Sequence, residues 1–318
     1  MDTAKKLGEA LRLPIICSPM FLISNPDMVI AQCASGVVGS FPSLNARPQL
    51  KLDEWLQKIT SALAALRQEG RTHVAPFAVN LTIRSTNDRL EADIESCVRF
   101  RVPIVLTSLA APTVVVQKVH AYGGLVFHDV TTLRHAKRAL AAGVDGLILV
   151  CAGAGGHAGA LNPFALLSEV RAFFDGPVIL AGAISDGRSV LAAQVMGADF
   201  VYMGTRFIAT QESAAVESYK AMLVSADSAD IVYTPHFSGI PANYLKPSIV
   251  AAGLDADNLP VIDANAVRAS GDRHVRWKDI WGAGQGVGSI RDIPPVSELV
   301  NRLACEYAAA RSDWRERL

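Results

Sequence analysis

Eight short apolar segments, each followed by a segment with helical periodicity, constrain the fold of this 318-residue chain more than any other feature. The apolar segments are nearly continuous in hydrophobicity, which is typical of strands covered by helices on both faces. A regular succession of such strands and helices predicts a parallel sheet. The predicted strands span residues 14–20, 36–41, 76–81, 102–109, 124–130, 146–153, 177–184 and 200–205.

The number of these units separates two parallel architectures. A doubly wound sheet also alternates strands and helices, but eight strands, with glycines after the sixth, seventh and eighth, favour an α/β fold of the (β/α)8 TIM barrel type. We expect residues 1–225 to form this barrel. Residues 226–292 are rich in turns and lose the alternation, so they are expected to form a small lid over the barrel mouth. Residues 293–318 should form a helix that packs on the barrel.

Charge and composition exclude several classes of protein. Lys and Arg number 30, as do Asp and Glu, and neither sign forms a long block, so we expect no nucleic-acid partner and no membrane partner. Apolar runs stop well short of the ~20 residues that span a bilayer, and the amino terminus lacks the features of a signal peptide. Five dispersed cysteines without a C-x-x-C pair indicate free thiols, no metal site and a cytoplasmic location.

Glycine turns follow two neighbouring predicted strands. The seventh strand ends in Gly182 and Ala183, and the eighth ends in Met203, Gly204 and Thr205. Glycine lets the backbone approach an anion closely, and phosphate groups often bind after strands 7 and 8 of such barrels. These turns therefore predict a phosphate site, although they could also be ordinary tight turns.

The sixth strand ends in the sequence GAGGHAG at residues 153–159. Gly155 and Gly156 let the backbone pass close to a flat ring, while His157 presents an imidazole that can accept a proton near pH 7. We interpret His157 as a catalytic residue, with a structural histidine on a flexible loop as the alternative. The glycines of 282–288 superficially match a dinucleotide fingerprint, but they do not open a βαβ unit.

Three further residues are candidates for substrate contacts. His128, next to Asp129, ends the fifth strand and is expected to face the barrel mouth. Tyr244 and Gln285 lie in the predicted lid, which we expect to serve the substrate pocket. Ordinary packing remains the alternative for all three side chains.

Several of these elements occur together in a known family. Ser18-Pro19-Met20 at the end of the first strand, Asn80 at the end of the third, GGHAG, the Gly182 turn and the run MGTRF occur in that order. The chain thus resembles the nitronate monooxygenase (2-nitropropane dioxygenase-like) family over most of residues 10–290. The GGHAG element is the most specific part of the resemblance.

The resemblance implies a barrel that holds FMN and uses His157 in catalysis. The flavin positions that it implies are Pro19, Met20 and Phe21 along the ring edge, Asn80, Gly155 and Gly156 beside the ring, and Gly182, Ala183, Met203, Gly204 and Thr205 at the phosphate. Two positions depart from the family. Val150 stands where many relatives have glutamine, and Asp129 stands near the flavin where some have lysine.

The predicted activity is oxidation of an alkyl nitronate by FMN and O₂, which gives a carbonyl compound and nitrite. One alternative is an NAD(P)H-dependent FMN reductase of quinones or enoyl thioesters, because related barrels share the GGH element. A second alternative is a non-redox barrel that binds a phosphate ligand. The expected partners are therefore a small-molecule substrate and O₂, and a homodimer is possible.

Overall fold

The computed structural model describes residues 3–260 and 278–317. The α-helices described in full are α1 (Thr3–Glu9), α2 (Pro26–Ala34), α3 (Lys51–Gln68), α4 (Leu90–Arg99), α5 (Thr113–His120), α6 (Leu133–Ala141), α7 (Pro163–Arg171), α8 (Gly187–Val195), α9 (Thr205–Ile208), α10 (Glu217–Ser225), α11 (Lys246–Ala251) and α12 (Val296–Arg317). Short 3-10 helices cover Ser43–Asn45, Ser228–Asp230 and Gln285–Ser289.

The strands form two sheets. The strands are β1 (Ile15–Cys17), β2 (Gly39–Pro42), β3 (Phe77–Ile83), β4 (Ile104–Leu109), β5 (Leu125–Val130), β6 (Gly146–Val150), β7 (Gly156–His157), β8 (Val178–Ala181), β9 (Phe200–Met203), β10 (Ile231–Thr234) and β11 (Ala242–Leu245). The larger sheet is parallel with the order β1-β9-β8-β6-β5-β4-β3-β2, and a bridge between Ile16 and Val38 links its two edges. The predicted (β/α)8 barrel is confirmed, and each of its eight strands overlaps a predicted segment.

Alternating side chains divide the barrel into an inner and an outer layer. On β4, Ile104 and Leu106 fill the barrel interior, while Val105 packs under the helices. This alternation follows from the two-residue period of a strand. Leu7 on α1 and the following Leu11 join the inner layer, so the amino-terminal segment contributes to the packing inside the barrel.

The C-terminal helix completes the outer layer. It packs against α8 and α2, the helices that follow the seventh and first barrel strands. Leu299 and Leu303 are buried in the same core cluster as the barrel helices. A Cβ on Gly187 would collide with the backbone of Tyr307 and Leu303, so glycine permits this close packing. The helix α12 therefore packs on the outside of the barrel through these contacts.

The described part of the lid, residues 226–260 and 278–292, is built on a small antiparallel sheet. Its strands β10 and β11 pair with each other, and β11 also pairs with β7. The lid is thus joined by backbone hydrogen bonds to the segment that carries His157. Among the described residues, the structure contains no helix of sufficient length and hydrophobicity to cross a bilayer.

Candidate active site

His157 lies at the carboxyl-terminal mouth of the barrel because the chain leaves the large sheet after β6. Gly153 and Gly156 have φ angles of 86° and 67°, a left-handed backbone that glycine adopts without side-chain hindrance. The turn ends in β7, where His157 pairs with Ala242 of β11. The lid backbone therefore positions the histidine.

Further contacts with the lid order the loop around His157. The Asn243 side chain donates to the carbonyl of Ala154 at 2.7 Å, and the Tyr233 hydroxyl donates to the carbonyl of Ala158 at 3.0 Å. The Ala158 amide donates to the carbonyl of Pro241 at 3.2 Å. Ordering a glycine-rich loop costs conformational entropy, and these contacts with the lid offset that cost.

A serine of the lid selects the tautomer of His157. The Nε2 atom of His157 lies 2.9 Å from Oγ of Ser238. Ser238 donates its hydroxyl hydrogen to the carbonyl of Ile240, 2.9 Å away, so its oxygen is left to accept. The hydrogen of the neutral ring is therefore on Nε2. The nitrogen without a ring hydrogen is then Nδ1.

The surroundings of His157 also keep the ring neutral. Its side chain has exposed surface at the barrel mouth, yet it lies deep among neighbouring protein atoms. Desolvation, aided by the positive charge of Arg84, lowers the pKa of His157 to about 4. A neutral imidazole can act as a base at physiological pH, whereas an imidazolium cannot.

Several backbone segments pack closely where β6, β8 and β9 end. We call this cluster the glycine cradle, and it consists of Gly153, Gly182, Ala183, Gly204, Thr205, Gln285 and Gly286. A Cβ on Gly182 would lie 2.7 Å from the carbonyl oxygen of Ala152, and one on Gly286 would lie 2.8 Å from Oγ of Ser185. Gly182 has a φ of 141°. The protein itself fills the space that side chains at Gly182 and Gly286 would need, so glycine lets these segments approach each other closely.

Residues 282–288 of the lid form one wall of the glycine cradle. The Gln285 amide donates to the carbonyl of Gly153 at 2.9 Å, and the Gly284 amide donates to Oγ1 of Thr205 at 2.9 Å. A Cβ on Gly155 would lie 2.8 Å from the Gly284 nitrogen. Gln285, which the sequence assigned to the substrate pocket, therefore lies beside the strand ends that were predicted to hold a phosphate.

The loop after β1 borders the glycine cradle on the side of β9. A Cβ on Gly204 would lie 3.7 Å from Sδ of Met20 and 3.3 Å from Cβ of Ser18. The side chain of Asn45 donates to the carbonyl of Met20 at 3.0 Å and so holds the loop in place. The half-buried residues 19–21, which the sequence assigned to the ring edge, are therefore next to the predicted phosphate site.

Asn80 and Asp129 lie on the inner face of the barrel, in register with Leu106 and Ile148 of the inner apolar layer. Asn80 is buried, and its amide donates to the carbonyl of Leu106 at 3.3 Å. Oδ1 of Asp129 is buried and has no hydrogen-bond partner within the described residues. Desolvation by burial raises the pKa of Asp129 to about 7. The carboxyl group of Asp129 is therefore partly neutral near pH 7.

Three predicted contacts need correction. His128 is buried and lies 2.8 Å from Thr107, to which its Nδ1 is hydrogen-bonded, on the face of β5 opposite Asp129. Tyr244 is fully buried in the lid, with its ring edge-on to Phe237 at 5.0 Å. The Met203 side chain packs in the outer layer of the barrel, which leaves only its backbone for a ligand. None of these three side chains faces the barrel mouth.

Sequence reasoning missed two parts of the site. Ser238 is separated from His157 by 81 positions, and no local pattern marks it as a partner. The glycines of 282–288 did carry a signal, namely an unusual density of glycine. Their rejection as a dinucleotide motif was sound, but the same glycines make the close backbone approach at the cradle possible.

Comparison with known proteins decides the family. The model of the nitronate monooxygenase family matches residues 5–306. The chain belongs to this family. A nitronate monooxygenase from Paraburkholderia phytofirmans is 27% identical, with 95% of this chain and 94% of that protein aligned. The family resemblance inferred from GGHAG and its companion motifs is thus confirmed.

Other relatives in the comparison have different names. A 5-hydroxy-7a-methyl-1-oxo-octahydro-1H-indene-4-carboxyl-CoA dehydrogenase from Rhodococcus jostii is 28% identical, over 81% of this chain and 69% of that protein. Among solved structures, FabK from Thermotoga maritima superposes with a TM-score of 0.80 at 26% identity, covering 100% and 99% of the two chains. A nitroalkane oxidase from Streptomyces ansochromogenes superposes with a TM-score of 0.82 at 24% identity, covering 96% and 99%, which supports the fold.

Membership of the nitronate monooxygenase family makes this chain an oxidoreductase of a flavin-dependent family. Two features of the described residues are compatible with a flavin mononucleotide. The glycine cradle has no side-chain bulk at Gly182, Gly204 and Gly286, and Oδ1 of Asp129 is buried without a hydrogen-bond partner among the described residues.

Proposed function

We propose that the protein binds FMN and oxidises alkyl nitronates with O₂, giving a carbonyl compound and nitrite. The observation that carries this proposal is the position of His157, whose backbone pairs with the lid strand β11 at the barrel mouth. When bound, FMN supplies the redox chemistry, and the protein supplies binding, orientation and electrostatics.

The proposed flavin contacts follow from the position of each element. The glycine cradle would hold the phosphate, with the Thr205 hydroxyl as a side-chain donor. Residues 19–21 would lie along the ring edge, Gly155 and Gly156 would border the ring, and Asn80 would bond to it. Asp129 would offer a carboxyl group to the ring from the barrel interior. These assignments agree with a single phosphate site and favour FMN over FAD.

His157 has two roles in this proposal. For a neutral nitroalkane, Nδ1 of His157 accepts the proton that leaves the carbon next to the nitro group, and the electron pair of that C–H bond passes to the nitro group. For a nitronate this proton is already gone, so His157 orients the substrate. Ser238 keeps the hydrogen of the neutral ring on Nε2 throughout.

The purified protein itself provides the test. Its absorbance spectrum should show a flavin, and the cofactor released by heat should chromatograph as FMN. An oxygen electrode should record uptake when propyl nitronates are added. Recovery of FAD would contradict the single-phosphate site, and a colourless protein that takes up no FMN would favour a non-redox barrel that binds a phosphate ligand.

A second candidate activity is oxidation or reduction of an acyl thioester. The observation that favours it is the similarity to two relatives, from Rhodococcus jostii and Mycobacterium tuberculosis, which are dehydrogenases of a carboxyl-CoA compound. Anaerobic mixing with NADH tests the reductase form of this activity. Rapid bleaching of the flavin would support an NAD(P)H-dependent reductase of enoyl thioesters or quinones, and a stable flavin spectrum would count against it.

We predict that protonation of His157 does not limit turnover of a neutral nitroalkane around pH 6.5, the ordinary pKa of histidine. The pKa of His157 is lowered to about 4, so the ring stays neutral and able to accept a proton as the pH falls through 6.5. His157 should cause a decline only as the pH approaches this lower value, whereas Asp129, with a pKa raised to about 7, titrates within the range and its effect should persist in His157→Asn. The measurement is kcat/KM against pH with nitroethane. A decline centred near 6.5 that disappears in His157→Asn would show that the surroundings do not lower the pKa.

Replacement of Ser238 by alanine should weaken the control of the His157 tautomer. The variant removes the acceptor at 2.9 Å from Nε2, so a part of the population would carry the hydrogen on Nδ1 and could not act as a base. We expect a several-fold loss of kcat for the neutral nitroalkane and a smaller loss for the nitronate. Ser238→Thr, which keeps the hydroxyl, is the control. Equal losses on both substrates would indicate disturbance of the lid instead.

A further inference from the structure

A groove with a volume of about 390 Å³ opens beside the active site, between the loops that follow β2 and β3. We call it the arginine groove. Its lining includes Arg47, Gln49, Arg84, Asn87, Asp88 and Arg89. Among the described residues, the lining contains three arginines and one acidic side chain, so its formal charge is positive. None of these residues has a place in the proposed flavin site.

One contact connects the arginine groove with the loop after β1. The guanidinium carbon of Arg47 lies 5.2 Å from the centre of the Phe21 ring, and Phe21 belongs to the loop assigned to the flavin edge. The positive charge of Arg84 also helps to lower the pKa of His157. The groove therefore lies beside the loop that the proposed function places at the flavin.

The arginines of the groove differ in the number of hydrogen bonds and ion pairs that they form with the rest of the protein. Arg89 forms an ion pair with Asp93 at 3.0 Å and donates to the carbonyl of Ala46 at 2.8 Å, so it is structural. Arg47 donates its Nε hydrogen to the carbonyl of Leu44 at 2.8 Å. Within the described residues, its two terminal nitrogens make no ion pair. They can therefore bind a ligand without losing an existing partner.

We propose that the arginine groove binds a phosphate group on the tail of the substrate. The planar guanidinium fork matches a phosphate and can bind it with two hydrogen bonds. The volume of the groove exceeds what a short alkyl chain fills, and a positive groove beside a reaction site raises the local concentration of anionic ligands. The inference rests on the proposed function and names its substrate class. The substrate is a compound carried on a phosphate-bearing tail. Small nitronates would fill only the part of the site beside the flavin and would leave the arginine groove empty.

The test uses FMN-saturated protein and titration calorimetry with two probes. Coenzyme A carries phosphates, and pantetheine has the same thiol arm without them. We expect coenzyme A to bind at least tenfold more tightly, with an affinity that falls as salt is added. Arg47→Gln and Arg84→Gln should each weaken coenzyme A about tenfold, in line with the loss of a charge-assisted hydrogen bond. Equal binding of the two probes would overturn the proposal.

A matched control separates local from general charge effects. Arg71 is exposed and precedes β3 at the opposite end of the barrel, so Arg71→Gln should leave coenzyme A binding unchanged. If all three variants weaken binding equally, the effect is one of net charge and the groove is not the site. FMN content is measured in the same samples. If a groove variant loses coenzyme A binding but keeps its normal FMN content, the result concerns the arginine groove alone. A colourless protein would instead contradict the proposed function.

Discussion

Replacement of His157 by asparagine should lower turnover of a neutral nitroalkane by about 10²–10⁴-fold, the range expected when a general base is removed. Asparagine keeps a polar side chain of similar size, but it cannot accept a proton at neutral pH. The histidine side chain has exposed surface at the mouth, and its backbone is held by pairing with the lid. The variant should therefore fold and retain FMN.

Two substrates distinguish the chemical roles of His157. Activity on a pre-formed nitronate should fall less than activity on the nitroalkane, because the nitronate needs no proton removal. The measurement is steady-state kcat/KM for both substrates, with flavin content recorded for each preparation. His120→Asn is the control, since His120 lies at the other end of the barrel and is hydrogen-bonded to Asp145. Equal losses on both substrates would assign His157 a positioning role, and full activity on both would make it structural.

Substitution of Gly182 by aspartate should abolish retention of FMN. The backbone here has a φ of 141°, which side chains rarely adopt, and a Cβ would lie 2.7 Å from the carbonyl oxygen of Ala152. A carboxylate at this position would also repel the phosphate. We expect the purified variant to be colourless and to show no flavin fluorescence after heat release.

The control for Gly182→Asp places an aspartate at a glycine whose side chain would have no close neighbour. Gly70 also has a positive φ, 76°, but no atom lies within 4 Å of its ideal Cβ. Gly70→Asp should therefore keep its FMN. Circular dichroism and thermal melting of both variants show whether Gly182→Asp still folds. A folded Gly182→Asp protein with a full complement of FMN would place the phosphate somewhere other than the glycine cradle.

Local chemistry explains why much of the barrel and part of the site were predictable. Parallel strands covered on both faces require continuous apolar segments, and the chain contains eight of them. The turns at Gly182 and around His157 need glycine for reasons of backbone conformation alone. The strands, the glycine turns and the catalytic candidate were therefore visible without a structure.

Because the strands are continuously apolar, the sequence did not show which of their side chains point into the barrel and which point toward the helices. An alternating strand shows its buried face in the sequence, but a strand buried on both sides does not. His128 and Asp129 are adjacent, so their side chains point to opposite faces, and only the structure shows that Asp129 is the inner one. The sequence likewise did not show that the Tyr244 side chain is buried, because the lid has a hydrophobic core of its own.

The sequence by itself determined the barrel, the glycine-lined strand ends and the position of His157 along the chain, because each depends on neighbours within a few residues. Only the tertiary structure determined that Ser238 selects the tautomer of His157, that residues 282–288 form a wall of the glycine cradle, and that Arg47 and Arg84 share one groove. These contacts join segments that lie far apart in the chain, and their formation depends on the packing of the whole barrel and lid.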